Sequence, residues 1–141
     1  MTQAACACGQ PIRDAYLCTG CTDDLRWILI TAAILGPQLD IARSRQARLT
    51  APNGSSGSRN HPLPYDPRAA EAADSLASVL RIVSGQPAMA AIQPMALGLL
   101  HEVPRIRQRP DAPDILGAIT QDTRQARRVI DRPPSRVYAG P

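Results

Sequence analysis

The chain has 141 residues, an apolar fraction of 44% and a formal charge of +4, which fits one domain with at most an appendage. It contains no Phe, one Trp and three Tyr, so any core rests on Ala, Leu, Ile and Val, and closely packed helices are favoured over an aromatic-rich sandwich. Fourteen Pro and nine Gly predict frequent breaks and therefore short helices.

All four cysteines fall between Cys6 and Cys21, in the stretch CACGQPIRDAYLCTGC. The spacing is C-x-C-x9-C-x2-C. Two close pairs on two turns suit the tetrahedron of soft ligands that zinc takes, so Cys6, Cys8, Cys18 and Cys21 are the expected ligands of one structural Zn²⁺. Gly9 after Cys8 lets the chain turn its N–H groups towards sulfur. Residues 12–17 can form a hairpin, with Pro11 and Asp14 as turn residues. A redox C-x-x-C at Cys18 and Cys21 is the competing reading, but no βαβ pattern surrounds it. Two disulfides are the other, and they disagree with the reducing compartment expected here. Four thiolates leave no open position for a catalytic water. They also offset about two units of the positive charge once zinc is bound.

Residues 1–22 are thus read as a zinc knuckle. A helix follows, with Thr22 as N-cap and Asp23 and Asp24 at its positive end. Leu25 to Leu35 is apolar on nearly all sides. Gly36-Pro37 is expected to break it, with Pro37 opening a second helix that runs to Arg48. Residues 23–49 then form a helical hairpin packed on the knuckle. The apolar run from Trp27 to Leu35 is too short to span a bilayer. No basic start and apolar core of a signal peptide precede Cys6. The expectation is a soluble, cytoplasmic chain with no membrane contact.

Residues 50–66, TAPNGSSGSRNHPLPYD from Thr50, read as a flexible linker. A lone linker histidine such as His61 is expected to face solvent. Residues 67–131 form a helical body. Pro67 to Ser84 is amphipathic, with Leu76, Val79, Leu80 and Val83 on one face and Gly85 just past its end. Pro87 to Val103 repeats the pattern through Ile92, Met95, Ala96, Leu99 and Leu100, with a kink expected at Pro94. Pro113 to Ile130 turns Ile115, Ile119, Ala126 and Ile130 inward. Residues 132–141 are a tail. The predicted fold is mainly α: a small N-terminal four-cysteine zinc knuckle followed by a bundle of four to five short helices.

Every basic residue is Arg, which a GC-rich coding bias produces and which suits phosphate and carboxylate alike. Arg43, Arg45 and Arg48 close one helix, and Arg124, Arg127 and Arg128 share the outer side of another. Both sets also suit helix ends and solvated faces. No paired carboxylates in a cleft pattern, G-x-S-x-G, P-loop or Rossmann glycines are present, so neither enzyme activity nor a small-molecule substrate is expected.

The opening CACG and CTGC followed by DDL, then RSRQARL, HPLPYDPRAAEA and TRQARRVIDRPPSRVYAGP, resemble a family of small zinc-ribbon and helix-turn-helix DNA-binding proteins of actinobacteria and their phages. The resemblance covers nearly the whole chain. It implies a phage or prophage DNA-binding or transcription-associated protein, in which the two Arg sets meet double-stranded DNA. In longer relatives a second ribbon and a helix-turn-helix follow the equivalent of Tyr138-Ala-Gly-Pro141, and neither occurs here. The alternative is an adaptor that docks on an acidic protein partner. Arg side chains forming one open stripe would favour DNA; Arg side chains paired with acids would favour structure or protein contact.

Overall fold

A computed structural model describes residues 8, 15–50, 67–87 and 90–131, with the side chains of 45–50 outside that description. The described residues form four helices and no strand, so the chain is mainly α as expected: α1 (Thr19–Thr50), α2 (Pro67–Ser84), α3 (Ile92–Ile106) and α4 (Ala112–Asp131). The expected linker, including His61, and the tail from residue 132 lie outside the described residues.

The helices pack as a rhombus. α1 and α2 each pack against all the others, whereas the consecutive pair α3 and α4 hardly touch. The core is aliphatic, as the missing Phe requires. Leu25, Leu29 and Leu39 of α1, Leu76 and Leu80 of α2, Ile92 and Val103 of α3 and Ile119 of α4 are all fully buried. Alanines at 70, 73, 96, 112 and 126 fill the remaining space and let the backbones approach.

The expected helical hairpin at 23–49 does not form. α1 runs from Thr19 to Thr50 without interruption, with Pro37 inside it. An interior proline withdraws one N–H from the ladder and leaves the carbonyl four residues earlier without its usual donor. Here that carbonyl belongs to Ala33, and the Gln93 side-chain amide donates to it at 3.0 Å. Gly36 makes the approach possible. A Cβ there would lie 2.8 Å from the Gln93 backbone nitrogen and 3.0 Å from its Cα. Gly36-Pro37 is therefore not a break but the notch into which α3 docks.

One turn further, Asp40 of α1 reaches the start of α3. Its two carboxylate oxygens accept the Ile92 N–H at 3.3 and 3.1 Å. Ala91, the residue before that helix, offers no side-chain cap. Asp40 thus supplies from another helix the acceptor that helix starts lack. The expected Pro87 start for α3 moves to Ile92 for the same reason: the helix begins where Asp40 caps it. Pro94 then falls in the first turn, where no ladder bond is lost and no kink is required. Pro104, expected to end the helix, lies in its last turn.

α2 keeps its expected limits. Gly85 has φ +74° and donates its N–H to the Arg81 carbonyl at 2.7 Å, the left-handed C-cap that glycine favours. Before α4, Arg109 holds Asp111 with two bonds of 2.9 Å, and the hydrogen bond to Arg109 keeps the Asp111 carboxyl below its ordinary range. The Asp111 carbonyl then accepts the Ile115 N–H at 2.9 Å. One helix, spanning Thr19–Ser44, is long and apolar enough to cross a membrane by length and composition. That property follows from its continuity past Pro37.

Candidate functional site

Two groups of residues merit the name, and both involve α1. The first is the cysteine cluster at its N-terminus. The thiol sulfurs of Cys8, Cys18 and Cys21 all lie within 4.8 Å of one another. The Cys8 and Cys18 sulfurs are 3.4 Å apart, far beyond the roughly 2.05 Å of a disulfide. Tetrahedral zinc with Zn–S near 2.3 Å puts its sulfurs about 3.8 Å apart. The three thiols therefore suit a metal ion. Cys6, the fourth expected ligand, lies outside the described residues, as does most of the expected 12–17 hairpin.

The helix start differs from expectation and explains the cluster's geometry. α1 begins at Thr19, one turn before the expected Thr22 cap. Cys18 occupies the capping position. Its Sγ accepts the Cys21 N–H at 3.3 Å, as a cap oxygen accepts from the third residue of a helix. Its carbonyl accepts both the Thr22 N–H and the Thr22 hydroxyl at 2.8 Å. Thr22 is thereby buried, at 3% exposure, as an inner brace instead of a cap. The positive end of the helix dipole then faces a site where thiolate charge would gather.

The segment before Cys18 is stitched to the far end of α3. Tyr16 donates its N–H to the Arg107 carbonyl at 2.7 Å, and Arg107 returns a guanidinium N–H to the Leu17 carbonyl at 3.2 Å. Leu17 is fully buried. The cysteine loop is thus a clasp joining α1 to the α3–α4 turn. Sequence reading missed Arg107, because nothing in its neighbourhood marks it as different from Arg105 or Arg109.

The second group is the arginines, which the fold sorts. Arg43 is inside the structure, with its side chain only 19% exposed. It pairs with Asp40 at 3.2 Å and with Asp74 of α2 at 3.3 Å, and it reaches the Ala90 carbonyl at 3.4 Å. It is occupied in tying α1 to α2 and to the approach to α3. Arg127 pairs with Asp131 at 3.4 Å. Arg26, Arg105 and Arg109 likewise pair with Asp23, Glu102 and Asp111. Arg45 and Arg48 sit on the last turns of α1, with side chains outside the described set. Arg124 and Arg128 are exposed and make no ion pair among the described residues. They are one turn apart on α4.

These two arginines line a groove of about 660 Å³ between α1 and α4, together with Thr120 and Gln121 of α4 and Asp24 and Trp27 of α1. Gln125 is also exposed beside them. The outer face of α4 therefore reads Gln121, Arg124, Gln125, Arg128. Neither metal ligands nor a nucleophile–base pair line this groove.

No known protein family, curated protein or solved structure matches this chain.

Proposed function

We propose that the chain is a non-enzymatic DNA-binding or transcription-associated protein of phage or prophage type, held at its N-terminus by one structural Zn²⁺ on Cys6, Cys8, Cys18 and Cys21. Its DNA contact is the outer face of α4. The observation that carries this reading is the pair Arg124 and Arg128, exposed and without ion pairs among the described residues while acids hold Arg43 and Arg127. Arginines one turn apart can bind neighbouring phosphates. Gln121 and Gln125 add neutral donors on the same face. Arg43 leaves the proposed contact set, because moving it to DNA would strip Asp40 and Asp74 of their partner. Zinc is the metal because sulfur donors with this separation select a soft tetrahedral ion. It acts as a staple and takes no part in any reaction.

The test is binding of the zinc-loaded protein to labelled duplex DNA by fluorescence anisotropy across a salt series. Each phosphate contact contributes about 0.9 to the slope of log K against log salt. Arg124→Ala combined with Arg128→Ala lowers that slope by about two. An unchanged slope removes α4 from the interface.

A second reading has its own support. Trp27, Ile28 and Leu116 share the groove with the two arginines, a mixture that suits an acidic protein segment carrying an apolar side chain. Absence of DNA binding at low salt makes that adaptor role the leading one.

A further inference from the structure

α1 has two apolar faces, and the core uses only one. Leu25, Leu29, Ala32 and Leu39 point into the bundle. On the opposite side Trp27, Ile34 and Ile41 are 67%, 70% and 51% exposed. They recur every seven residues. Ile30 and Pro37 stand between them at the intervening seam positions, the spacing by which two helices pack along a seam. The stripe is about 21 Å long at 1.5 Å per residue.

The charge along this helix is arranged around the same stripe. Between Trp27 and Ile41 the single charged residue is Asp40, and it is engaged with Arg43 and the Ile92 N–H. Acids precede the stripe at Asp23 and Asp24, and the sequence places Arg45 and Arg48 after it. The pattern is symmetric about Ile34. In an antiparallel pair of α1 helices, Ile34 meets its own copy and Trp27 meets the second copy's Ile41. Thr31 falls beside Gln38, and Asp24 falls beside the helix position that carries Arg45. A parallel pair would instead set Asp24 against Asp24 and Arg45 against Arg45, which repel.

We propose that a second copy of this chain docks on the exposed face of α1, antiparallel and centred on Ile34, forming a twofold dimer. The self-complementary order of charge, acid before the stripe and arginine after it, selects this occupant. The inference is independent of the DNA reading, because Ile34 and Ile41 line no part of the α4 groove.

The experiment is sedimentation equilibrium of the full zinc-loaded chain over a range of concentrations. The expected mass is twice the 15.1 kDa of one chain. Ile34→Arg, at a site with no core contact, should keep the helical circular dichroism and raise the dimer dissociation constant by at least tenfold. Asp24→Arg alone should weaken the dimer, and Asp24→Arg with Arg45→Asp should restore it; this pair decides the matter even if Ile34→Arg impairs folding. A monomer at every concentration overturns the proposal, as does a dimer indifferent to both sets of changes. Failure of the double reversal to restore association overturns the antiparallel register. A monomer that floats with phosphatidylcholine vesicles, and stops doing so as Ile34→Arg, assigns the face to lipid and overturns it too.

Discussion

Replacing Gly36 with Ala sets two effects of similar size against each other. Alanine in a helix interior is favoured over glycine by about 1 kcal/mol. The added methyl, however, would lie 2.8 Å from the Gln93 nitrogen, 2.9 Å from its Cβ and 3.0 Å from its Cα. Two of those atoms are α3 backbone, so a side-chain rotation gives no relief and α3 must move. Overpacking of this kind costs about 1–3 kcal/mol. Moving α3 also stretches the Gln93–Ala33 bond and the Asp40 cap, which places the cost near the upper end. The net effect is a loss of about 1–2 kcal/mol, or roughly 3–7 °C in melting temperature for a chain of this size. Gly98 is the control: it lies inside α3, and a Cβ there meets nothing within 4 Å. Gly98→Ala should therefore raise the melting temperature by roughly 3 °C. Thermal melts of the zinc-loaded proteins by far-ultraviolet circular dichroism decide the point. Equal stabilisation by both substitutions would refute the close approach of α3 to the Gly36 notch.

Three further outcomes come from the same contacts. Asp40→Ala removes the α3 cap and leaves Arg43 half-buried with a weaker partner, costing about 1–3 kcal/mol; Asp40→Asn keeps an acceptor and costs less, and amide exchange at Ile92 reports the lost cap. Gln93→Ala costs about 1 kcal/mol in the natural chain, because the Ala33 carbonyl loses its donor; with Pro37→Ala in place an in-helix N–H returns and the loss shrinks, a coupling that a double-mutant cycle on melting data measures. Burial pushes the Asp122 carboxyl above its ordinary 3.8. Its contribution to stability is thus full below that value and lost as pH rises through the raised one. Asp122→Asn should therefore stabilise the protein at neutral pH, by no more than about 0.5 kcal/mol because solvent screens a partly exposed group, and the gap to the natural chain should close on acidification in chemical-denaturation midpoints.

Helices whose ends carry local signals were legible. Pro67 and Gly85 bracket α2, and both mark helix ends for backbone reasons that act within a few residues. The α4 face of Ile115, Ile119 and Ala126 was legible from its period alone. α1 was misread because Gly36-Pro37 is a strong local stop signal, and the compensation comes from Gln93, far along the chain in α3. The same distance hid the role of Asp40, which looked like an ordinary helix acid and is the cap of another helix. Arg43 was legible as a helix-end arginine but not as a tie between helices, since its partner Asp74 lies beyond the linker. The cysteine spacing pointed to the sulfur cluster. It did not place the helix start, because a cysteine in the capping position is not among the usual cap signals.

The account rests on the cysteine cluster being a metal staple that holds the start of α1 against the α3–α4 turn. The most direct test is elemental zinc analysis of the purified chain paired with thermal melts, for the natural sequence and for Cys18→Ser, with and without a strong chelator. One zinc per chain is expected. Chelation and Cys18→Ser should each release it, lower the melting temperature and expose the Tyr16 and Thr22 amides to exchange, because metal binding and local folding share one free energy. A chain that carries no metal, or melts identically with and without chelator, would contradict the account.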